Sequence, residues 1–321
     1  MKHSKFNFGT KIVFRYLIAT ALLLSILEGC KKEDDSQVNV TPNEKNSADA
    51  YRIIASASYK GLYIDNFDDV VGDSAEENSL LRWCVRYKFN ALSLYDTKAL
   101  LLTKSSYGKL AAFIKKSRTQ YGIKSVAAIR SIGIQFTGST TTYNKSRKDT
   151  LERFNVFNLE NEWWNNGTSC DFSCYQSHLI TMNNAAHSAN PKIKSEEFMG
   201  WFLNPAGNEL AQATALVQNS DRIMMHEYWA SPNFEYNESR LAFIGAAAKN
   251  LNKVMDVIII FSAEPDFMYN YFDKGAQNKT FDDAYASIVA QHNASLVANK
   301  NFIRIIGYQI FDQSWARRAR P

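Results

Sequence analysis

Excess charge of one sign is scarce in this chain, and so are cysteine, proline, glycine and long apolar runs. The formal net charge is only +5 over 321 residues. That excess is terminal: Lys2, Lys5, Lys11 and Arg15 lie near the start and Arg317, Arg318 and Arg320 near the end. The stretch between is close to neutral, so the basic field of a nucleic-acid binder is absent. Four cysteines without zinc-type spacing exclude a disulfide-stapled miniprotein and a structural zinc site. Fourteen glycines and six prolines exclude a collagen-like repeat, and 45% hydrophobic residues exclude disorder. There is no Gly-x-Ser-x-Gly elbow, no His-Glu-x-x-His helix and no oxygen-rich calcium loop. No metal and no cofactor is expected from these patterns.

What is present begins with an address. The basic residues of the first segment precede an uncharged apolar run, Tyr16 to Leu27. It is far shorter than the roughly 20 residues of a membrane span and suits a secretory signal. The run ends Leu27-Glu28-Gly29-Cys30, which resembles the lipobox of bacterial lipoproteins. The charged cluster Lys31-Lys32-Glu33-Asp34-Asp35 follows. The expected layout is a signal peptide over 1–29, a lipidated Cys30 with a polar tether over 30–50, and one barrel domain over 51–321. Such a chain is exported and anchored by lipid at the outer membrane or surface of a Gram-negative cell. Of the other cysteines, Cys84 reads as a buried thiol, while Cys170 and Cys174 are near enough to pair.

Within the body, apolar runs alternate with helical periodicity. Strands are expected at 61–65, 89–96, 124–131, 154–163, 193–201, 221–229, 254–264 and 302–312. Helices are expected at 76–87, 107–121, 174–189, 208–219, 239–251 and 280–299, the last with Thr280 as N-cap. Eight β/α units predict an α/β fold of the (β/α)8 TIM-barrel type, with a closing helix that is short or missing. An open doubly wound sheet is the alternative, but the glycine-rich phosphate turn it would carry is absent.

Chemistry in such barrels sits at the C-terminal ends of the strands. Those ends collect Asp65, Asp96, Glu160, Glu162, Tyr228, Glu264 and Gln309, together with Ser131, Glu197, Trp201, His226, Glu227 and Asp312. Carboxylates beside flat rings suit an oligosaccharide or polysaccharide: acids act at the glycosidic bond and rings stack on sugar faces. Period-two alternation puts Asn158, Glu160 and Glu162 on one face of the fourth strand. Burial there raises a carboxyl pKa, as a general acid requires. The alternative role for these acids is a salt bridge inside the barrel, for example to Arg130.

The string Asn155-Val-Phe-Asn158-Leu-Glu160-Asn-Glu162 resembles the Asp-x-x-Asp-x-Asp-x-Glu signature of glycoside hydrolase family 18, chitinases and endo-β-N-acetylglucosaminidases. Met225-His226-Glu227-Tyr228 resembles that family's Met-x-Tyr-Asp on the sixth strand. Glu162 alone matches the strand-four signature identically; asparagines or glutamate replace its aspartates. The resemblance implies that Glu162 protonates the leaving oxygen, that the substrate's 2-acetamido group is the nucleophile, and that Glu160 stabilises it. Trp163, Asn158, Asp65, Asp96, Glu227, Tyr228 and Gln309 are the candidate sugar contacts. Three alternatives stand. Asn161-Glu162 with Glu264 resembles the acid/base and nucleophile of the large clan of retaining glycosidases on this barrel. The departures at Asn155, Asn158 and Glu160 also suit a non-catalytic sugar-binding lipoprotein, and the tether with a short or missing closing helix suits a surface interaction protein without a sugar ligand.

Overall fold

The computed structural model describes residues 56–130, 133–165, 170–202 and 207–321. The signal, Cys30 and Ser131 lie outside them. Eight parallel strands close into a barrel in chain order: β1 (Tyr59–Ile64), β2 (Ala91–Leu94), β3 (Ser125–Arg130), β4 (Val156–Leu159), β5 (Lys194–Met199), β6 (Arg222–Glu227), β7 (Met255–Ser262) and β8 (Ile303–Phe311). The principal helices between and after them are α1 (Ser74–Arg86), α2 (Tyr107–Tyr121), α3 (Gly133–Ser146), α4 (Phe172–His187), α5 (Glu209–Asn219), α6 (Glu235–Asn250), α7 (Phe281–Ala294) and α8 (Gln313–Ala319). This is the (β/α)8 TIM barrel. None of the described helices is long and apolar enough to cross a membrane.

Local chemistry sets these boundaries. Asp73 accepts from the backbone N–H groups of Ala75 and Glu76 at the start of α1, and Asp171 from that of Cys174 at α4. Thr280 and Asp283 form a capping box on α7. Gly122 ends α2 in the left-handed region, φ 72°. The sequence pattern did not reveal α3, whose Thr- and Gly-rich stretch has weak helix propensity. There Thr140 and Thr142 return their hydroxyls to the carbonyls of Phe136 and Gly138, so these polar groups are satisfied along the helix itself. The closing helix is present and short. Trp83 of α1 donates to the carbonyl of Arg320 at 2.8 Å, and Arg320 donates to the carbonyls of Phe272 and Lys279. Arg317 pairs with Glu76. Two terminal arginines are therefore structural latches.

The core has two layers. Outside the sheet, residues such as Leu62, Leu92, Val126 and Ile259 pack against the helices. Inside, Tyr59, Ala91, Phe198, Met224, Ile258 and Ile260 fill the lumen. Strand β7 is buried on both sides and accordingly reads as a near-continuous apolar run. The seam is β1 on β8, with Gly61 opposite Gln309. A Cβ at Gly307 would lie 1.8 Å from the Tyr59 carbonyl oxygen, a backbone atom that cannot move without opening the seam. Gly307→Ala is expected to destabilise the barrel by about 3 kcal/mol or more, the upper range for overpacking. Urea unfolding checks this, and a midpoint equal to that of the parent chain refutes it.

Candidate active site at the C-terminal mouth

Inward parity runs from the lumen to the mouth. On β1 it passes from Tyr59 through Gly61 to Tyr63, whose hydroxyl donates to Oε2 of Glu160 at 2.6 Å. Strand β4 ends at Leu159, so Glu160 and Glu162 stand just beyond it instead of within a strand reaching 163. Glu160 keeps the inward direction and crosses the mouth to Tyr63. Glu162 stands at an exposed position, where the Asn165 side-chain amide donates to its Oε2. The cause is Trp163, which is 2% exposed and packs on Tyr175 and Phe172 of α4, with ring centroids 4.3 and 5.5 Å away. Burying that indole rotates its neighbours: Glu162 faces solvent, and Trp164 lies over the lumen against Phe198 and His226. A Cβ at Gly200 would come within 2.5 Å of the Trp164 ring, so glycine at 200 makes room for it. Trp164 is therefore the tryptophan that lies over the lumen, and Trp163 is a core anchor.

Other expected contacts are corrected in the same way. Asn158 is buried; its amide donates to Glu196 and contacts the Met224 sulfur, well below the mouth. Gln309 is also buried, accepting from the Tyr59 hydroxyl at 3.1 Å in the middle of the lumen. Asn155 ties β3 to β4 at their opposite end through Val126 N and Lys124 O. Glu227 points outward from β6, accepting from the backbone N–H of Asn233 and the Asn237 amide. Its place on the strand was legible, but its side is the wrong one for substrate. Glu197 likewise faces α4, where the Tyr175 hydroxyl donates to it at 2.9 Å. Asp96 is exposed after β2 with φ 54°, and Asp65 is partly buried after β1.

The mouth holds two groups of acids across a floor of rings. Glu160 and Glu162 form one. Glu264, Asp312 and Asp65 form the other, with the Ser262 hydroxyl donating to Glu264 at 2.9 Å. Tyr228 stands between them: burial raises its pKa, and the charges of Glu160, Glu264, Glu162 and Asp312 raise it further. Its ring lies 6.0 Å from Phe311, which lies 4.9 Å from Tyr63. Trp201 and Trp229 are exposed at the rim, 39% and 48%. Sequence reasoning passed over Tyr63; counting by twos from Tyr59 is the signal that finds it.

Burial pushes the Glu160 carboxyl up to about 7, and the charge of Glu162 adds to the effect while the Tyr63 hydrogen bond opposes it. Desolvation also raises Glu162, against the hydrogen bond from Asn165. Glu264 is raised by burial and then by Asp312, Asp266 and Asp65. His226, ringed by Phe198, Trp164 and Tyr228, is lowered to about 3 by burial and by the charge of Arg240, so it is a neutral imidazole. Its Nε2 has no hydrogen-bond partner among the described residues. The strands carry two lysines, Lys60 and Lys194, and neither is at the mouth: Lys60 pairs with Asp282 outside, and Lys194 stands at the N-terminal end of β5. Neither strand lysine of the described residues stands at the mouth, where the titratable side chains brought together are carboxyl groups, Tyr63, Tyr228 and His226.

Among the described residues, donor atoms of Cys170, Cys174 and His178 lie within 4.8 Å of one another. The two sulfurs are joined in a disulfide, Cα–Cα 5.2 Å, which leaves His178 the sole free donor there. Cys84 is a buried free thiol.

No family model matches the chain, and no curated protein matches it. Solved structures do. An α-L-arabinofuranosidase from Thermotoga maritima is 10% identical, with TM-score 0.48, covering 79% of this chain and 64% of that one. A putative deoxyribose-phosphate aldolase from Toxoplasma gondii is 8% identical, with TM-score 0.46, covering 84% and 93%. The YdjI aldolase of Escherichia coli K12 is 10% identical, with TM-score 0.44, covering 83% and 78%.

Outside the mouth, Glu197 provides a test of the buried acids. Burial pushes it up to about 8, only partly offset by Tyr175. In the unfolded chain a glutamate titrates near about 4.3. Between those values the folded chain holds a proton that the unfolded chain has lost, so this group lowers stability as pH rises through that window. Glu197→Gln is expected to flatten the fall in unfolding free energy between about pH 5 and pH 8. Urea midpoints across that range check it, and an unchanged slope refutes it.

Proposed function

We propose that the protein is a glycoside hydrolase acting on complex glycans or polysaccharide, cleaving next to a 2-acetamido sugar, with Glu162 as general acid and Glu160 as stabiliser. The observation that carries this reading is the pair itself: two carboxyl groups past the end of β4, a buried Glu160 pinned inward by Tyr63 and an exposed Glu162 reachable from solvent, beside a floor of aromatic rings. Glu160, pushed up to about 7 by burial and further by the charge of Glu162, can hold a proton near neutrality. In the free protein the more buried Glu160 holds it more tightly. A sugar closing over Glu162 strips its water and favours the proton there instead.

Glu162 gives that proton to the glycosidic oxygen as the bond to the anomeric carbon breaks. The acetamido carbonyl oxygen adds to that carbon from the opposite face, forming an oxazolinium ring. The ionised Glu160, fixed by Tyr63, accepts from the amide N–H and offsets its developing positive charge. Glu162, now a carboxylate, takes a proton from water as the water oxygen attacks the anomeric carbon and reopens the ring. The configuration is retained. In keeping with the leader and Cys30, we place the enzyme as an exported lipoprotein, tethered to the outer membrane or cell surface of a Gram-negative bacterium.

The alternative with Glu264 as covalent nucleophile is less well supported. Glu264 belongs to the acid group across the ring floor from Glu162, held by the Ser262 hydroxyl, with Tyr228 between the two groups. Glu162→Gln is expected to lower kcat on an aryl di-N-acetylchitobioside by about 10²–10⁴-fold with the fold intact. Glu264→Gln should cost no more than about tenfold, short of the loss of an essential group. A Glu264 loss as deep as that at Glu162 transfers the nucleophile to Glu264. Unchanged turnover in Glu162→Gln ends the hydrolase reading, and glycan binding without any product from the parent chain replaces it with a sugar-binding one.

The pH profile supplies a second check. The active form is the singly protonated pair, so kcat/KM falls on the alkaline side near about 7 as the second proton leaves, following Glu160. Glu160→Gln removes the charge that helps hold a proton on Glu162, so the alkaline limb should move to lower pH. A limb that stays in place refutes the coupling.

A further inference from the structure

The opposite end of the barrel carries the reverse charge. A cavity of about 640 Å³ opens at the N-terminal ends of the strands, and Lys124, Lys192, Lys194, Arg222 and Arg304 line it. The acids on this face are already matched: Asp256 lines the cavity and pairs with Arg304, and Glu196 pairs with Arg222. The ammonium groups of Lys124, Lys192 and Lys194 make no ion pair or hydrogen bond with any described residue. Arg222 is 6% exposed, stacks on Tyr59 at 5.1 Å, and has a buried Nε with no partner among the described residues. An unsatisfied guanidinium N–H costs free energy wherever neither water nor a ligand meets it. Surface lysines on a flat face are ordinarily just solvated. Here three uncompensated cations surround a concavity whose wall includes a buried, under-satisfied arginine and the hydroxyls of Ser58 and Ser125.

We infer that this cavity is a binding site for a phosphate-class oxyanion, held by Lys124, Lys192 and Lys194 with Arg222 at its wall. The chemistry is charge-assisted hydrogen bonding to a compact dianion. The site is separate from the acidic mouth, and the inference does not depend on the hydrolase reading. Two sources present the same group: free phosphate, and the phosphate of a lipid headgroup. The second is geometrically open because Ser56 and Ser58, where the chain from Cys30 joins the described body, line the same cavity.

The test uses the full chain and a Lys124→Gln/Lys192→Gln/Lys194→Gln variant, whose exposed substitutions spare the core. In one arm, inorganic phosphate is titrated calorimetrically at ionic strength held constant with chloride. In the other, the chain is sedimented with phosphatidylcholine vesicles containing or lacking phosphatidic acid. Binding that is at least about tenfold weaker in the variant is expected, as for loss of one or more charge-assisted contacts. Such a difference in the phosphate arm, with or without one in the vesicle arm, supports a site open to the free ion. A difference in the vesicle arm alone assigns the headgroup. No binding in either arm, or equal binding by parent and variant, overturns the inference. Arg222→Met should weaken phosphate further if it folds; the lysine variant decides the matter without it.

Discussion

Closure of the sheet is the constraint from which the rest follows. Eight parallel strands joined edge to edge leave a lumen just wide enough to be filled by side chains, so inward parity on each strand is set by contact with the opposite wall. Tyr59 meets Gln309 across the β1–β8 seam and lies under Arg222 from β6. With those contacts made, Tyr63 is carried to the mouth on the same face of β1, and its hydroxyl reaches Glu160 beyond β4. Glycine at 61 and 307 is part of the same constraint, since neither position leaves room for a Cβ.

Burial of acids is the energetic theme of the upper half of the barrel. Glu160, Glu197 and Glu227 are all pushed well above the ordinary carboxyl range, and desolvation is the leading cause in each. Their consequences differ with direction. Glu197 and Glu227 face helices and are held by Tyr175, Asn233 and Asn237, which makes them structural acids. Glu160 faces the mouth, where a proton held near neutrality is available for chemistry. At the other end, cations outnumber acids, so the barrel is polarised along its axis with acids at the mouth and lysines at the base. That separation keeps uncompensated lysines away from the acid pair, whose pKa values they would lower.

Much of this was legible because the fold is repetitive and the code is simple. Apolar runs of strand length between helical stretches identified the barrel, and Thr280 announced its helix. Strand-end residues such as Glu160, Glu162, Glu264 and Tyr228 were found by position alone. The failures have separate physical origins. Alternation along a strand holds only while the strand continues, and β4 stops at Leu159. Beyond it the indole of Trp163 is drawn into the space beside α4, so Trp163 packs in the core and Trp164 lies over the lumen. Asn158 and Gln309 lie on inward faces but one layer too deep, and depth depends on the stagger of the strands, which no single segment encodes. Helix α3 was missed because its threonines satisfy their own hydroxyls once the helix is packed, a compensation invisible to propensity.

By itself the amino-acid sequence determined the number of β/α units, the order of the strands and the pool of acids and rings available at their ends, because periodicity and hydrophobicity are properties of each segment. Only the tertiary structure decided which of those groups meet. Tyr63 beside Glu160, Tyr228 between two acid groups, Glu227 turned away from the lumen, and a ring of lysines around Arg222 all bring together side chains distant in the chain. The shifted pKa values of Glu160, Glu227 and Tyr228 depend on a desolvation that exists only once the barrel has closed.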